Sequence, residues 1–172
     1  ILQHRLSRSR FHASWHKYTF AMLDLVLVVV IILYPNPFMA EHFPGPVQLS
    51  FPNFDYLYVV VALFALSYSP GVVLAAGLAA VAAWAVGVAL IVAEPGALTA
   101  ADYPGYESMP LLRRVEISSQ VMFVDMTARA QEFFLMVLFT GVLAATVWRA
   151  RRLVGRQLRS ERARTNLSRY FS

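Results

Sequence analysis

Residues 133–172 read FFLMVLFTGVLAATVWRARRLVGRQLRSERARTNLSRYFS. From Phe133 to Trp148 no side chain is charged, and from Arg149 to Arg169 eight arginines follow against a single acid, Glu161. A helix crosses about 30 Å of hydrocarbon with roughly 20 mostly apolar residues at about 1.5 Å each. The apolar half of the stretch suits a membrane span. Only Gly155 interrupts the helix-forming run beyond it, so the pattern predicts one helix that crosses the bilayer and continues into water as a stalk. Arginine placed directly after a span is retained on the cytoplasmic side.

Working outward, three further apolar stretches qualify. Tyr18–Tyr34 is stopped by Pro35 and Pro37, which cannot continue a helical ladder. A second span is expected over residues 54–69, lengthened by aromatic ends at Tyr56 and Tyr68. Ser69-Pro70-Gly71 is a tight turn that sends a third span, residues 72–93, back antiparallel, and Glu94-Pro95-Gly96 ends it. The expected fold is all-α: a polytopic transmembrane helical bundle of four spans (18–34, 54–69, 72–93, 133–148) with a long cytoplasmic C-terminal signalling helix.

Composition agrees. The 172 residues are 58% hydrophobic and 15% charged with mean hydropathy +0.54, whereas about a quarter of an ordinary soluble domain is charged. The net charge of +5 is polarised toward the two ends, which favours basic cytoplasmic ends over nucleic-acid binding, disorder or a water-soluble enzyme. Arg5, Arg8, Arg10 and Lys17 precede the first span without an acid. The loop 35–53 holds Glu41 and no cation, and the loop 94–132 holds six acids against Arg113, Arg114 and Arg129. Both termini are therefore expected inside, which an even number of spans satisfies, with residues 1–17 a basic cytoplasmic segment, 18–148 the membrane domain and 149–172 the stalk. The expected location is a bacterial inner membrane. Ile1 is not methionine and Ser172 still lies in helical pattern, so the chain reads as a piece of something longer, without a cleavable signal peptide. From Pro110 toward Glu132, mixed Leu, Val and charge predict a helix on the outer surface that continues into the fourth span.

Candidate functional residues fall into three groups. Asp24 is the carboxylate well inside a span, where a charge costs about 2.5–3.5 kcal/mol on insertion scales, so it should face the bundle with a partner or be protonated. Ser67, Tyr68 and Arg149 lie at matching depth and make a candidate polar latch, against the alternative of a static helix–helix hydrogen bond. Ala75, Ala79, Ala83 and Gly87 recur every four residues and form a small-residue stripe for close helix packing, within the chain or between protomers. Trp84, in mid-span, fills a gap or lines a ligand cavity. Val147, Val154, Leu158 and Leu167 give the stalk a partial apolar seam compatible with a parallel dimer.

Catalytic motifs are absent: no glycine-rich phosphate loop, H-E-x-x-H or nucleophile elbow occurs, and without cysteine there are neither disulfides nor thiolate metal sites. His12 and His16 are one turn apart but precede the first span, and His42 lies in a loop, so no imidazole projects from a span toward a haem. No cofactor or metal is expected within these residues.

The tail SERARTNLSRYFS, Ser160–Ser172, resembles the linker that precedes the catalytic domain in bacterial membrane-bound class III adenylate cyclases. LYPNPF at Leu33–Phe38 and the following LSFPNFDYLYVVVALFALSYSPGVVLAAGLAAVAAW are similar to the membrane region of one such group. The resemblance implies a six-span anchor of which these are the last four, a homodimer formed through span and stalk, and an absent catalytic domain that makes cyclic AMP from ATP with two divalent ions, magnesium or manganese. It assigns no catalytic position here. It gives Arg149–Phe171, including Arg169 and Phe171, the role of coupling the membrane region to the output domain. The bilayer, and a lipid or small hydrophobic ligand at the outer ends of the spans, are the expected partners; nucleic acid is not. A histidine-kinase or diguanylate-cyclase sensor and a non-signalling accessory subunit are the competing readings.

Overall fold

A computed structural model describes residues 2–34 and 43–170, with side chains described over 15–34 and 43–161. Among these residues the chain is helical without strands: α1 (Leu2–Leu33), α2 (Gly45–Ser50), α3 (Asp55–Leu63), α4 (Pro70–Val92), α5 (Leu111–Ser118) and α6 (Met126–Tyr170), with short 3-10 turns between several of them. Three helical stretches are long and apolar enough to cross a membrane: Trp15–Leu33 of α1, Pro70–Val92, and Met126–Glu161 of α6. Pro52–Ser67, where a further span was expected, is a shorter apolar helix.

α4 is the centre of the packing, with α1 on one flank and α6 on the other. α1 turns Ala21, Leu25 and Val29 inward, each almost wholly buried, at the four-residue spacing that returns to one helix face. Its end is held by Gln48, whose side-chain amide, oriented to satisfy its partners, donates to the carbonyls of Ile32 and Leu33 at 3.1 and 3.2 Å. Those are the C-terminal carbonyls that a helix leaves unpaired. Pro52–Ser67 winds as a 3-10 turn, α3 and a second 3-10 turn, and stops where Tyr68 adopts a left-handed φ of 52°. Pro70 then opens α4 at its first position, where the missing N–H is no loss.

Glycines allow the closest approaches. A Cβ at Gly77 would overlap the Thr140 side chain of α6, and one at Gly87 would overlap Leu33 of α1. In lipid, where apolar burial drives little helix association, such close packing substitutes for it. A second seam joins Val73 of α4 to Ala144 and Val147 of α6.

The outer segment departs from the sequence reading. In place of one helix from Pro110 into the last span, α5 ends at Ser118 and α6 starts anew at Met126. Two local interactions cause the break. Leu98 pairs with the extended chain on the far side, its N–H donating to Met122 O at 2.8 Å and its carbonyl accepting from Val124 N at 2.7 Å. Asp125 then caps α6, Oδ1 accepting from the N–H groups of Thr127 at 2.9 Å and Ala128 at 3.2 Å. The loop before α5 is likewise structured: Thr99 and Asp102 form a reciprocal cap, and Tyr106 stacks on Phe123 with ring centroids 5.9 Å apart.

Candidate functional site

At the part of the α4–α6 contact near the start of α6 a polar cluster is set into apolar surroundings. Trp84, fully buried at 0% exposure, directs its indole N–H from α4 to Glu132 Oε2 on α6 at 3.0 Å. One turn earlier on α6, Arg129 Nη1 lies 2.8 Å from Glu132 Oε1. Their side chains are 12% and 20% exposed, respectively. This ion pair lacks hydrogen-bond alignment, and Arg129 Nε is buried without a hydrogen-bond partner. The glutamate is thereby shared between a neutral donor on one helix and a cation on its own.

Aromatic rings enclose the cluster. Phe54 packs 5.1 Å from Trp84, Tyr58 meets Phe54 edge-on at 5.4 Å, and Phe139 of α6 meets Tyr58 edge-on at 5.1 Å. These T-shaped contacts suit the ring quadrupoles. They tie the segment around α3 to both α4 and α6, so the cluster is where three apolar helices meet. Among the described residues no group of His, Cys, Asp or Glu side chains could hold a metal ion.

A second feature is an apolar groove of about 780 Å³ between α1 and α4. Ala79, Ala83 and Gly87 form its small-residue floor, Met22 and Val26 line the α1 side, and Glu94 stands at one end. Three members of the small-residue stripe thus face α1, and Ala75 is half-buried on the same helix. Of the two uses expected for the stripe, packing within the chain is the one the described residues show, with α1 as the partner; Pro52–Ser67 meets α4 on the Trp84 side.

The four latch candidates are not brought together within the chain. Asp24 is exposed on the outward face of α1, in line with Phe20, Leu27 and Ile31, and no hydrogen bond or ion pair reaches it. The Tyr18 hydroxyl lies beside Gly71, at the turn that leads into α4, and Asp24 is six residues further along α1, about 9 Å along the helix axis from Tyr18. Ser67 Oγ donates to Phe64 O of its own turn at 2.7 Å. Tyr68 and Arg149 are exposed. The expectation that Asp24 faces the bundle is thus corrected: the helical phase set by Ala21, Leu25 and Val29 turns it outward.

Along the stalk, Val147 is buried against Val73, whereas Val154 and Leu158 are exposed. The α6 backbone continues unbroken to Tyr170. The side chains of Leu167 and Arg169, the whole of Phe171, the loop residues 35–42 and the side chain of His12 lie outside the described residues.

The Trp84–Glu132–Arg129 cluster is what sequence reasoning missed. Two signals stood in view: a tryptophan in mid-span, and a Glu at i+3 from an Arg at the mouth of an apolar run. No family model matches the chain, and neither a curated protein nor a solved structure matches it.

Proposed function

We propose that this chain is the membrane anchor and transducing segment of a homodimeric class III adenylate cyclase, with receptor capacity in its membrane region. The observation that carries the reading is α6: 45 residues from Met126 to Tyr170 without a break. At about 1.5 Å per residue it is roughly 68 Å long, about twice the hydrocarbon thickness, so a helix that crosses the bilayer still projects far into water. Its projecting part ends in the NLSRYFS stretch that resembles cyclase linkers.

In this reading four segments cross an inner membrane and both ends face the cytoplasm. Pro52–Ser67, partly wound as 3-10 helix, reaches roughly 28 Å at about 1.5 Å per α-helical and 2.0 Å per 3-10 residue, close to the roughly 30 Å of hydrocarbon, and would make the fourth crossing. Two protomers meet through span and stalk. The outward Asp24 supports a second protomer, because a carboxylate among lipid-facing side chains is costly until a neighbouring helix offers it a donor. A lipid or small hydrophobic ligand in the α1–α4 groove would shift the balance between two dimer arrangements only if it binds one of them better. The catalytic site, with its magnesium or manganese ions, would belong to a separate output domain; Arg149–Phe171 would carry the movement to it.

The test is expression with the coding sequence that follows Ser172, in membranes supplied with ATP and magnesium or manganese. Cyclic AMP formation supports the proposal. Membranes that neither bind ATP nor form cyclic AMP refute it, and a phosphoacceptor histidine or a GG[DE]EF motif in that sequence would give the same anchor a different output.

A further inference from the structure

Where α6 passes the α3–α4 turn, a recess of about 450 Å³ lies between Pro70 and one face of α6. Trp148, Arg152, Gly155 and Arg159 fall on that face at spacings of four, three and four residues, and Arg151 and Arg156 flank it. Among the described residues none of these four arginines has an ion-pair partner. The Arg152 guanidinium lies 3.7 Å from the centre of the Trp148 ring. Gly155 lines the recess, and a Cβ there would meet no atom within 4 Å, so the glycine serves no tight helix contact and a larger side chain has room to occupy the space.

Depth gives the recess its meaning, on the reading that α6 crosses the bilayer. Trp148 closes the apolar run and suits the interface. Arg152 is about 6 Å further along, Arg156 about 12 Å and Arg159 about 16 Å, while the headgroup layer is roughly 5–8 Å thick. Side chains on a helix lean toward its N-terminus, so Arg156 and Arg159 incline back toward the membrane they have left. Guanidinium forks match phosphate oxygens in pairs, and a recess with several of them and no internal counter-ion is complementary to a phosphodiester.

We propose that this recess seats the headgroup of an anionic phospholipid from the leaflet that α6 leaves. The lipid would bridge the stalk to the α3–α4 turn and fix the rotation at which α6 enters the cytoplasm.

The test uses the full chain in neutral detergent, offered phosphatidylcholine mixed with phosphatidylglycerol, with lipid retention read by native mass spectrometry. Wild type should retain phosphatidylglycerol selectively. R152Q/R156Q/R159Q should lose at least about tenfold in retention, whereas R162Q/R164Q/R169Q, which removes equal charge further along α6, should stay within about twofold. G155L changes no charge and replaces a poor helix former, so it folds at least as well; by filling the recess it should also lose retention. Equal losses in both arginine triples, full retention by G155L, or no preference over phosphatidylcholine would each overturn the proposal. Inorganic phosphate alone displacing the lipid at equal concentration would also overturn it, by making the recess a soluble-anion site. The readout involves no cyclic nucleotide, so failure here and failure of the cyclase reading are separate results.

Discussion

Replacing Trp84 by Phe removes one hydrogen-bond donor while keeping an aromatic ring against Phe54. Glu132 Oε2 then loses the indole partner it has at 3.0 Å, but retains the Arg129 ion pair. Neutral hydrogen bonds between membrane helices average about 0.6 kcal/mol and reach about 1.7, whereas those to charged groups contribute about 1.5–3. Glu132 is four-fifths buried and lies at the mouth of the span, so the charged-group range is reached at its lower end: about 1.5 kcal/mol, or roughly tenfold in the folding equilibrium. A double-mutant cycle isolates the term. Trp84→Phe, Glu132→Leu and the pair would be compared by thermal or denaturant unfolding in the same micelle, followed by circular dichroism. Glu132→Leu should cost more than Trp84→Phe, since it also strips the counter-ion from a buried guanidinium. The coupling energy should exceed about 1 kcal/mol, beyond the roughly 0.3–0.5 kcal/mol scatter of independent sites. Additive losses would mean that the indole and the carboxylate do not interact, and the cluster would cease to be a link between α4 and α6.

Two alanine substitutions on glycine should differ in sign. Gly77→Ala drives a methyl into Thr140 and should destabilise by about 1–3 kcal/mol, while Gly141→Ala, with nothing within 4 Å, should stabilise by up to about 1 kcal/mol; thermal melts in one detergent compare them. Asp125→Ala removes the cap on the first turn of α6 and should cost about 1 kcal/mol, with hydrogen exchange rising at Thr127 and Ala128. Asp24→Leu should favour membrane insertion of the isolated Trp15–Leu33 segment by about 2.5–3.5 kcal/mol in a glycosylation-reporter assay, and an unchanged inserted fraction would contradict the depth assigned to it.

The long helices were legible because apolar runs of span length end at visible punctuation: Pro70 opens α4, Glu94-Pro95-Gly96 follows it, and no proline interrupts α6 before Tyr170. The phase of α1 was not. From Leu25 to Leu33 every residue is apolar, so no polar face marks which side turns inward, and Asp24 took its orientation from contacts with α4. The break before α6 was hidden for a similar reason. Residues 111–125 contain neither Gly nor Pro, and the helix is stopped by pairing with Leu98, a tertiary partner that periodicity cannot disclose. Trp84 and Glu132 are 48 residues apart in the chain, and each alone has an ordinary explanation as packing or as an interfacial charge. Only their meeting across two helices gives the cluster its meaning.

The two flanks of α4 differ in a way that constrains how any stimulus could travel. Toward α6 the contacts are continuous: Trp84–Glu132 near the start of α6, Gly77 against Thr140 at the middle, and Val73 with Ala144 and Val147 near the start of α4. Toward α1 the packing is close and apolar: Leu25 and Val29 are buried, Gly87 abuts Leu33, and an apolar groove of about 780 Å³ lies alongside. Sliding α6 along α4 would break a charged hydrogen bond and disengage a close-packed glycine together, whereas moving α4 and α6 as a pair against α1 disengages Gly87 from Leu33 but breaks no charged hydrogen bond among the described residues. The α1–α4 separation is therefore the coordinate without a charged tether. The chain has no native cysteine, so spin labels can be placed freely. A label pair spanning α1 and α4 should report a broad or ligand-dependent distance, while a pair spanning α4 and α6 should stay narrow. If the α4–α6 distance were the one that shifted, α6 would slide independently, and the Trp84–Glu132 bond would be a switch rather than a clamp.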